Sequence, residues 1–138
     1  MRNKTMIIGC GRLGASIANY SSSQGNDVIV VDADASSFSK LDETFSGYTV
    51  VADATDVDEL KDAFIDSVSE VIVSTEDDNT NLFLAHVCAE IFEVPHVYVR
   101  FDDPDKGFLI SSSSIKAIYP FQLSMAELNK MRGGANKE

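Results

Sequence analysis

The sequence predicts an α/β fold in which a doubly wound parallel sheet of about six strands carries helices on both faces. Three observations support this class. Short β-branched runs alternate with longer segments at helical period, the first run leads straight into the glycine-rich stretch 9–14, and 138 residues suffice for one compact domain. Alternating strands and helices favour parallel strands joined by right-handed crossovers.

The predicted strands are short runs rich in Val, Ile and Tyr, bounded by glycine or polar residues. They cover residues 5–9, 27–32, 48–53, 70–75, 96–100 and 115–120. Apolar residues at helical spacing predict helices over 12–24, 36–45, 57–65, 78–93 and 121–131, and a helix or turn is expected near 104–113. We therefore expect a single domain over 1–131, followed by a frayed tail at 132–138.

Composition limits the function. Lys and Arg number 11 against 22 Asp and Glu, so the net charge is −11. Such an acidic chain lacks the charge pattern of a nucleic-acid binder and would be repelled by anionic lipid. The apolar runs are too short to cross a bilayer, and the first residues show no signal-peptide core. We expect a cytoplasmic protein with Cys10 and Cys88 as free thiols.

The segment after the first strand has G-x-G-x-x-G spacing at Gly9, Gly11 and Gly14. The first glycine permits a tight turn, the second lets a phosphate approach the backbone, and the third allows close packing of helix on strand. The amides that follow point outward at the positive end of a helix dipole, where anions bind. The spacing predicts a nucleotide phosphate site in a Rossmann-type fold.

Two charged residues narrow the choice of nucleotide. Asp32 ends the second strand, where a carboxylate accepts hydrogen bonds from ribose hydroxyls; it disfavours the 2′-phosphate of NADP. Arg12 lies inside the glycine motif and adds charge-assisted contacts to phosphate, which suits ATP or ADP better than NAD. A solvated arginine on the first turn is the alternative. Cys10 is a redox-sensitive thiol or, more simply, a small filler residue.

Further polar residues end the later strands and should face the same crevice. Asp53 and Thr55 contact the adenine, or else they or Asp56 cap the next helix. Thr75 and Glu76 should lie near the phosphates, and Arg100 supplies a second positive group that reaches either a phosphate or a partner subunit. For Glu76, Asp77 and Asp78, capping by Asp78 or Asn79 is favoured over a cation site, because the spacing matches no metal loop. We expect no metal site and no catalytic residue.

The last predicted helix, 121–131, is apolar over more than one narrow stripe. Two interpretations remain open for it. Its apolar residues pack into the core of the domain, or they are covered by a second copy of the chain.

In order and spacing, the motifs GCGRLGASIA, VVDAD, GYTVVADAT, STEDDNTN and VYVRFDDPD resemble the N-terminal domain of the TrkA/RCK family over roughly residues 5–128. The resemblance implies a Rossmann fold that binds ATP, ADP or NAD(H). By motif position, Gly9, Gly11, Arg12, Leu13 and Gly14 match the phosphate loop. Asp32 matches the ribose carboxylate, Asp53 and Thr55 the adenine side, and Arg100 the arginine after the fifth strand.

The same resemblance implies a function. Members are cytosolic regulators that pair into dimers or rings and gate potassium channels or transporters when a nucleotide is exchanged. The partners expected are therefore further copies of the chain and a membrane potassium-transport subunit. In this family a second ligand-binding domain follows the last helix; the sequence leaves open a stand-alone subunit or part of a longer chain.

Two alternative functions share the predicted fold. A small NAD-dependent oxidoreductase would require a proton-transfer residue beside the nicotinamide, and the sequence offers no Tyr-x-x-x-Lys pair for that role. A switch that senses the NADH/NAD ratio without turnover is the other. We expect a regulator rather than an enzyme.

Overall fold

The computed structural model describes residues 2–133, so most of the tail expected at 132–138 lies outside the described residues. Six parallel strands form one sheet in the order β3-β2-β1-β4-β5-β6. The strands are β1 Lys4–Ile8, β2 Val28–Asp32, β3 Tyr48–Val51, β4 Val68–Val73, β5 His96–Arg100 and β6 Ile115–Ile118. The α-helices are α1 Arg12–Ser23, α2 Val57–Asp62, α3 Asp78–His86 and α4 Pro120–Met131. The predicted fold class is confirmed.

The core lies on both faces of the sheet, because each central strand is buried from both sides. Alternate residues of one strand belong to different clusters: Met6 and Ile8 pack with residues from α2 and α3, whereas Ile7 packs with Ala15 and Ala18 of α1. Continuous burial of this kind is typical of parallel strands between two helical layers.

The prediction of a helix over 36–45 is wrong. The chain forms a short 3₁₀ helix, Ala35–Lys40, and Leu41 returns to extended backbone at φ −75° and ψ 143°. Asp34 caps this turn by accepting from the backbone N–H of Ser36. Serine-rich segments favour such side-chain-to-backbone bonds over a continuous helix. The apolar residues at helical spacing, Phe38, Leu41 and Phe45, still pack against the α1 side of the sheet.

The helix predicted over 78–93 is present but changes character. Asp77 caps it, one residue before the expected Asp78 or Asn79, by accepting from the N–H of Thr80. After His86 the backbone widens into a π-helical segment, Val87–Ile91. Two further helices are shorter than predicted, since α2 ends at Asp62 and the segment after β5 is a 3₁₀ helix over Pro104–Leu109.

The α4 helix is the most exposed element of the domain. None of its residues is buried, and Leu123 and Met131 are 63% and 71% exposed. Packing of this helix into the domain core, one of the two interpretations of its apolar sequence, is therefore wrong. Among residues 2–133, no helix combines the length and the hydrophobicity that crossing a membrane requires.

Candidate nucleotide site

A cleft of about 760 Å³ opens at the carboxyl ends of the strands. It lies where β1 pairs with β2 on one side and with β4 on the other. The chain runs outward from β1 through β2 and β3 and then crosses to β4 on the opposite side, so the strand order reverses at β1. Doubly wound folds bind their ligands at this switch point. The lining residues are Ile8, Gly9, Gly11, Arg12, Val31, Asp32, Ala33, Asp34, Ser37, Lys40, Ala52, Asp53, Ala54, Thr55, Ser74, Thr75, Glu76, Thr80, Leu84 and Arg100.

Backbone atoms pack closely against two of the three glycines in the loop, Gly9 and Gly14. Gly9 adopts φ +102°, and a Cβ there would lie 2.8 Å from the backbone of Ser74 and Thr75. A Cβ on Gly14 would lie 1.9 Å from the carbonyl oxygen of Gly9. Both positions therefore exclude a side chain, because backbone atoms already fill the space.

Gly11, the middle glycine of the motif, is not packed in this way. A Cβ on Gly11 would meet no atom within 4 Å, so this residue faces open space in the cleft. Gly11 is also the N-cap of α1, where no side chain caps the helix and no acidic residue lies in the first turn. The first amides of α1 and the exposed Arg12 thus lie beside an open space, an arrangement that suits an anion.

The Asp32 carboxylate is held by two backbone amides. Cys10 donates its N–H to Oδ2 and Asp34 donates its N–H to Oδ1, each at 2.8 Å. These bonds fix both oxygens at the edge of the cleft. Each oxygen retains a lone pair, so the carboxylate can still accept hydrogen bonds from two neighbouring hydroxyl groups.

Asp53 and Thr55 form a turn at the far end of the cleft. The carboxylate of Asp53 accepts from the N–H and the hydroxyl of Thr55, at 3.0 and 2.6 Å, and these bonds hold the pKa of Asp53 below its ordinary value. The cap of α2 is Asp56, which accepts from the N–H groups of Asp58 and Glu59. Asp53 and Thr55 are therefore not helix caps; they belong to the cleft wall.

On the other side of the glycine loop the wall is formed by Thr75 and Arg100. The Nε atom of Arg100 donates to Asp102 Oδ1 at 3.1 Å, and the Arg100 side chain is only 18% exposed. Both ends of the cleft carry mixed charges. Asp32, Asp34 and Asp53 lie towards β2 and β3, as does Lys40 between these strands in the chain. Arg12 lies at the loop, and Arg100 and Glu76 both line the wall beyond it.

The acidic residues near β4 have structural contacts instead of a common centre. Asp77 caps α3, and Asp78 accepts from the backbone N–H groups of Asp102 and Asp103, each at 2.9 Å. Over the residues that the structure describes, no group of three His, Cys, Asp or Glu side chains is close enough to hold a metal ion.

The thiols are buried. Cys10 has no exposed surface, and its pKa is raised by burial and further by Asp32, although Lys40 lowers it. A raised pKa disfavours the reactive thiolate, which agrees with a filler role and not with a redox-sensitive residue.

Most of the residues predicted for the site come together, with two exceptions. Leu13 and Gly14 lie in the first turn of α1, outside the cleft lining. Sequence reasoning missed Asp34, Ser37 and Lys40, which also line the cleft. The mistaken helix over 36–45 concealed Ser37 and Lys40, whereas Asp34, an acid two residues after Asp32, was a signal of a turn.

The fold, the open glycine loop and the anchored Asp32 carboxylate are those of a Rossmann-type domain. The family described as the TrkA-N domain matches residues 5–119. The chain therefore belongs to the TrkA-N domain family, as the sequence motifs predict.

Among curated proteins, the chain is 36% identical over 102 residues to the Trk system potassium uptake protein TrkA of Streptomyces coelicolor. The match covers 74% of this chain and 46% of that protein. It is also 27% identical over 101 residues to a TrkA homolog of Pyrococcus horikoshii, covering 73% of this chain and 44% of the other. The chain thus spans about half the length of these relatives.

Solved structures agree with the fold. The NAD(P)-binding domain of an exopolyphosphatase-related protein from Archaeoglobus fulgidus superposes with a TM-score of 0.74 at 22% identity, covering 95% of this chain and 98% of that one. GsuK bound to ADP superposes with a TM-score of 0.66 at 25% identity, covering 83% of this chain and 30% of GsuK. GsuK has also been solved bound to NAD, with the same identity and TM-score and 21% of that chain covered.

Proposed function

We propose that this domain binds an adenine nucleotide, ATP or ADP, in the cleft at the carboxyl edge of the sheet. The observation that carries the proposal is Gly11, which faces open space at an uncapped helix start beside Arg12. A phosphate group is the ligand that matches backbone amides, a helix dipole and a guanidinium together. The ADP complex of GsuK, a protein of similar fold, supports this choice.

The remaining residues predicted for the site receive roles in this proposal. The ribose hydroxyls would donate to Asp32, and Asp53 and Thr55 would contact the adenine. Gly9 and Gly14 shape the loop, Leu13 supports its first helical turn, and Arg12, Thr75 and Arg100 face the phosphates. These roles follow from the position of each residue around the cleft.

We further propose that the domain is a cytoplasmic regulatory subunit that gates a potassium uptake channel or transporter. The family membership and the relatives named as potassium uptake proteins support this step. The nucleotide would act by binding one dimer or ring geometry more tightly than another, which shifts the population by that difference in affinity. The exposed apolar residues of α4 offer a surface for a second copy.

The first test is calorimetric titration of the purified protein with ATP, ADP, AMP, NAD and NADH. We expect ATP or ADP to bind most tightly, and to change the oligomeric state or shape that light scattering and small-angle scattering report. An Asp42→Asn variant should bind these nucleotides as the wild type does, because Asp42 is an exposed acid outside the cleft lining. No heat of binding with any of these nucleotides at millimolar concentration would overturn the proposal.

A second candidate is a sensor of the NADH/NAD ratio. The length of the cleft favours it, since the lining continues past the glycine loop to Thr75 and Arg100, where the second half of a dinucleotide would lie. The same titration distinguishes the two. Binding of NADH more than tenfold tighter than ATP, a difference of about 1.4 kcal/mol, would select the redox sensor.

A further inference from the structure

A buried asparagine joins the two strand ends that form the phosphate side of the cleft. Asn81 lies on α3 and has no exposed surface. Its Nδ2 donates to the carbonyl oxygens of Thr75 and Arg100, each at 3.0 Å. Its Oδ1 accepts from the N–H of Thr75 at 3.1 Å and also from the Thr75 hydroxyl. The side chain therefore fastens the ends of β4 and β5 to one helix.

The chemistry of this contact is specific to a carboxamide. An asparagine side chain offers two N–H donors and two acceptor lone pairs, and Asn81 uses all four. An aspartate of the same shape would lack both donors, and leucine would lack donors and acceptors alike. Either replacement would leave buried strand-end groups without partners, which costs more than the bond itself contributes.

The residues that Asn81 holds are two of the lining residues beyond the glycine loop. Arg100 is restrained a second time, because its Nε donates to Asp102 and the backbone N–H of Asp102 donates to Asp78 at the start of α3. With Nε engaged, the two terminal nitrogens form the edge of the guanidinium that can meet a phosphate. The first turns of α3 therefore fix the place from which Arg100 reaches into the cleft.

We propose that Asn81 is a positioning residue that sets how strongly the site distinguishes nucleotides by their number of phosphates. This inference rests on the proposed function, since it assumes an adenine nucleotide in the cleft. Asn81 does not touch the nucleotide; it acts through Arg100 and Thr75. Adenosine and its first phosphate depend on Asp32 and the glycine loop. Asn81 hydrogen-bonds to neither, although the Thr75 backbone that it holds lies against Gly9, so its effect should fall mainly on the outer phosphates.

The experiment compares the affinities of ATP, ADP and AMP in wild type and in Asn81→Ala by calorimetry. We expect the preference for ATP over AMP to fall about tenfold in the variant, while AMP affinity stays within about twofold. Val68→Ala is the matched control. Val68 is fully buried at the amino end of β4, so its truncation destabilises the fold without touching the cleft.

A double-mutant cycle separates positioning from a general loss of structure. Arg100→Gln should weaken ATP binding when it is introduced into the wild-type sequence. Its effect should be markedly smaller when it is introduced into the Asn81→Ala variant, because the Arg100 guanidinium is already misplaced there. Equal effects of Arg100→Gln in both backgrounds would overturn the inference. So would a uniform loss of affinity for ATP, ADP and AMP in Asn81→Ala.

A measurement on the wild-type protein covers the case in which the Asn81 variant does not fold. In ¹⁵N-resolved NMR spectra, the Arg100 Nε–H and the Asn81 side-chain amide should shift more on titration with ATP than with AMP. Absence of that difference would overturn the inference even though nucleotides bind. Absence of binding by wild type would instead refute the proposed function, so the two failures are distinguishable.

Discussion

The two sides of the cleft are held in different ways. On the β2 side, Asp32 is fixed by amides of the glycine loop and of the residue two positions later, and Asp53 by a turn with Thr55. On the β5 side, Arg100 is fixed by side chains of a separate helix. Short turns preset the first side, whereas the second depends on how α3 packs. For the nucleotide proposed above, we therefore expect the β2 side to supply affinity and the β5 side to supply discrimination.

The largest effect should arise where the two sides meet, at the glycine loop. Gly14→Ala would place a Cβ 1.9 Å from the Gly9 carbonyl oxygen and should lower the free energy of unfolding by about 3 kcal/mol. Gly11→Ala is the control, since its Cβ meets no protein atom; stability should stay within about 1 kcal/mol while ATP binding is lost. Urea unfolding and calorimetry measure both. Equal stability losses would mean that Gly11 is a packing residue.

The next largest effect is expected for a substitution that alters the β2 side alone. Asp32→Ala should weaken ATP, ADP and AMP by the same factor, about thirtyfold, because hydrogen bonds to a charged group contribute about 2 kcal/mol. The uniform factor distinguishes this side from the β5 side, whose variants should affect ATP most. Calorimetry with the three nucleotides measures it, with Asp42→Asn as the control for loss of one charge. A loss confined to ATP would contradict the assignment of Asp32 to ribose.

A substitution on α4, which lies outside both sides of the cleft, should leave nucleotide binding unchanged. Leu123→Glu places a charge on α4 at a position that is 63% exposed, so monomer stability should change by less than about 0.5 kcal/mol. Self-association should fall, because a charge would be buried between two copies. Sedimentation velocity measures the oligomeric state, and Lys130→Glu on the same helix is the control. Unchanged association of Leu123→Glu would show that α4 is not the contact surface.

The smallest effect concerns Cys88, on the face of the sheet away from α1. Burial raises its pKa to about 12 from 9.0. The folded thiol keeps its proton while the unfolded one loses it, so stability falls as pH rises above 9.0 towards 12. Between pH 8 and 10 this thiol should account for about 1.4 kcal/mol of the loss. Urea unfolding of wild type and Cys88→Ala at both pH values measures it; parallel losses would contradict the prediction.

Much of this molecule could be predicted because its strongest signals are local. The doubly wound parallel sheet follows from alternation and crossover handedness, and the place of Asp32 follows from its distance along the chain from the glycine loop. The extended strand β3 ends at Val51, two residues earlier than predicted, and its last predicted residue, Asp53, enters the turn with Thr55 instead.

The remainder depends on contacts between distant residues. The apolar spacing over 36–45 is the same in a helix and in a tight turn packed on a sheet, so Lys40 could not be placed in the cleft. The burial and the contacts of Asn81 could not be predicted for a related reason. An asparagine in a helix is ordinarily a surface residue, and its burial here depends on Arg100, 19 residues away.

The close approach of Gly9 to Ser74 has a consequence for biosynthesis. The loop is closed by a strand 65 residues further along the chain, because the Ser74 hydroxyl donates to the Gly9 carbonyl oxygen. A nascent polypeptide that has emerged only as far as β3 possesses every residue of the phosphate motif and yet lacks the wall that shapes it. We therefore expect the proposed nucleotide to bind during translation only after the fourth strand has left the ribosome.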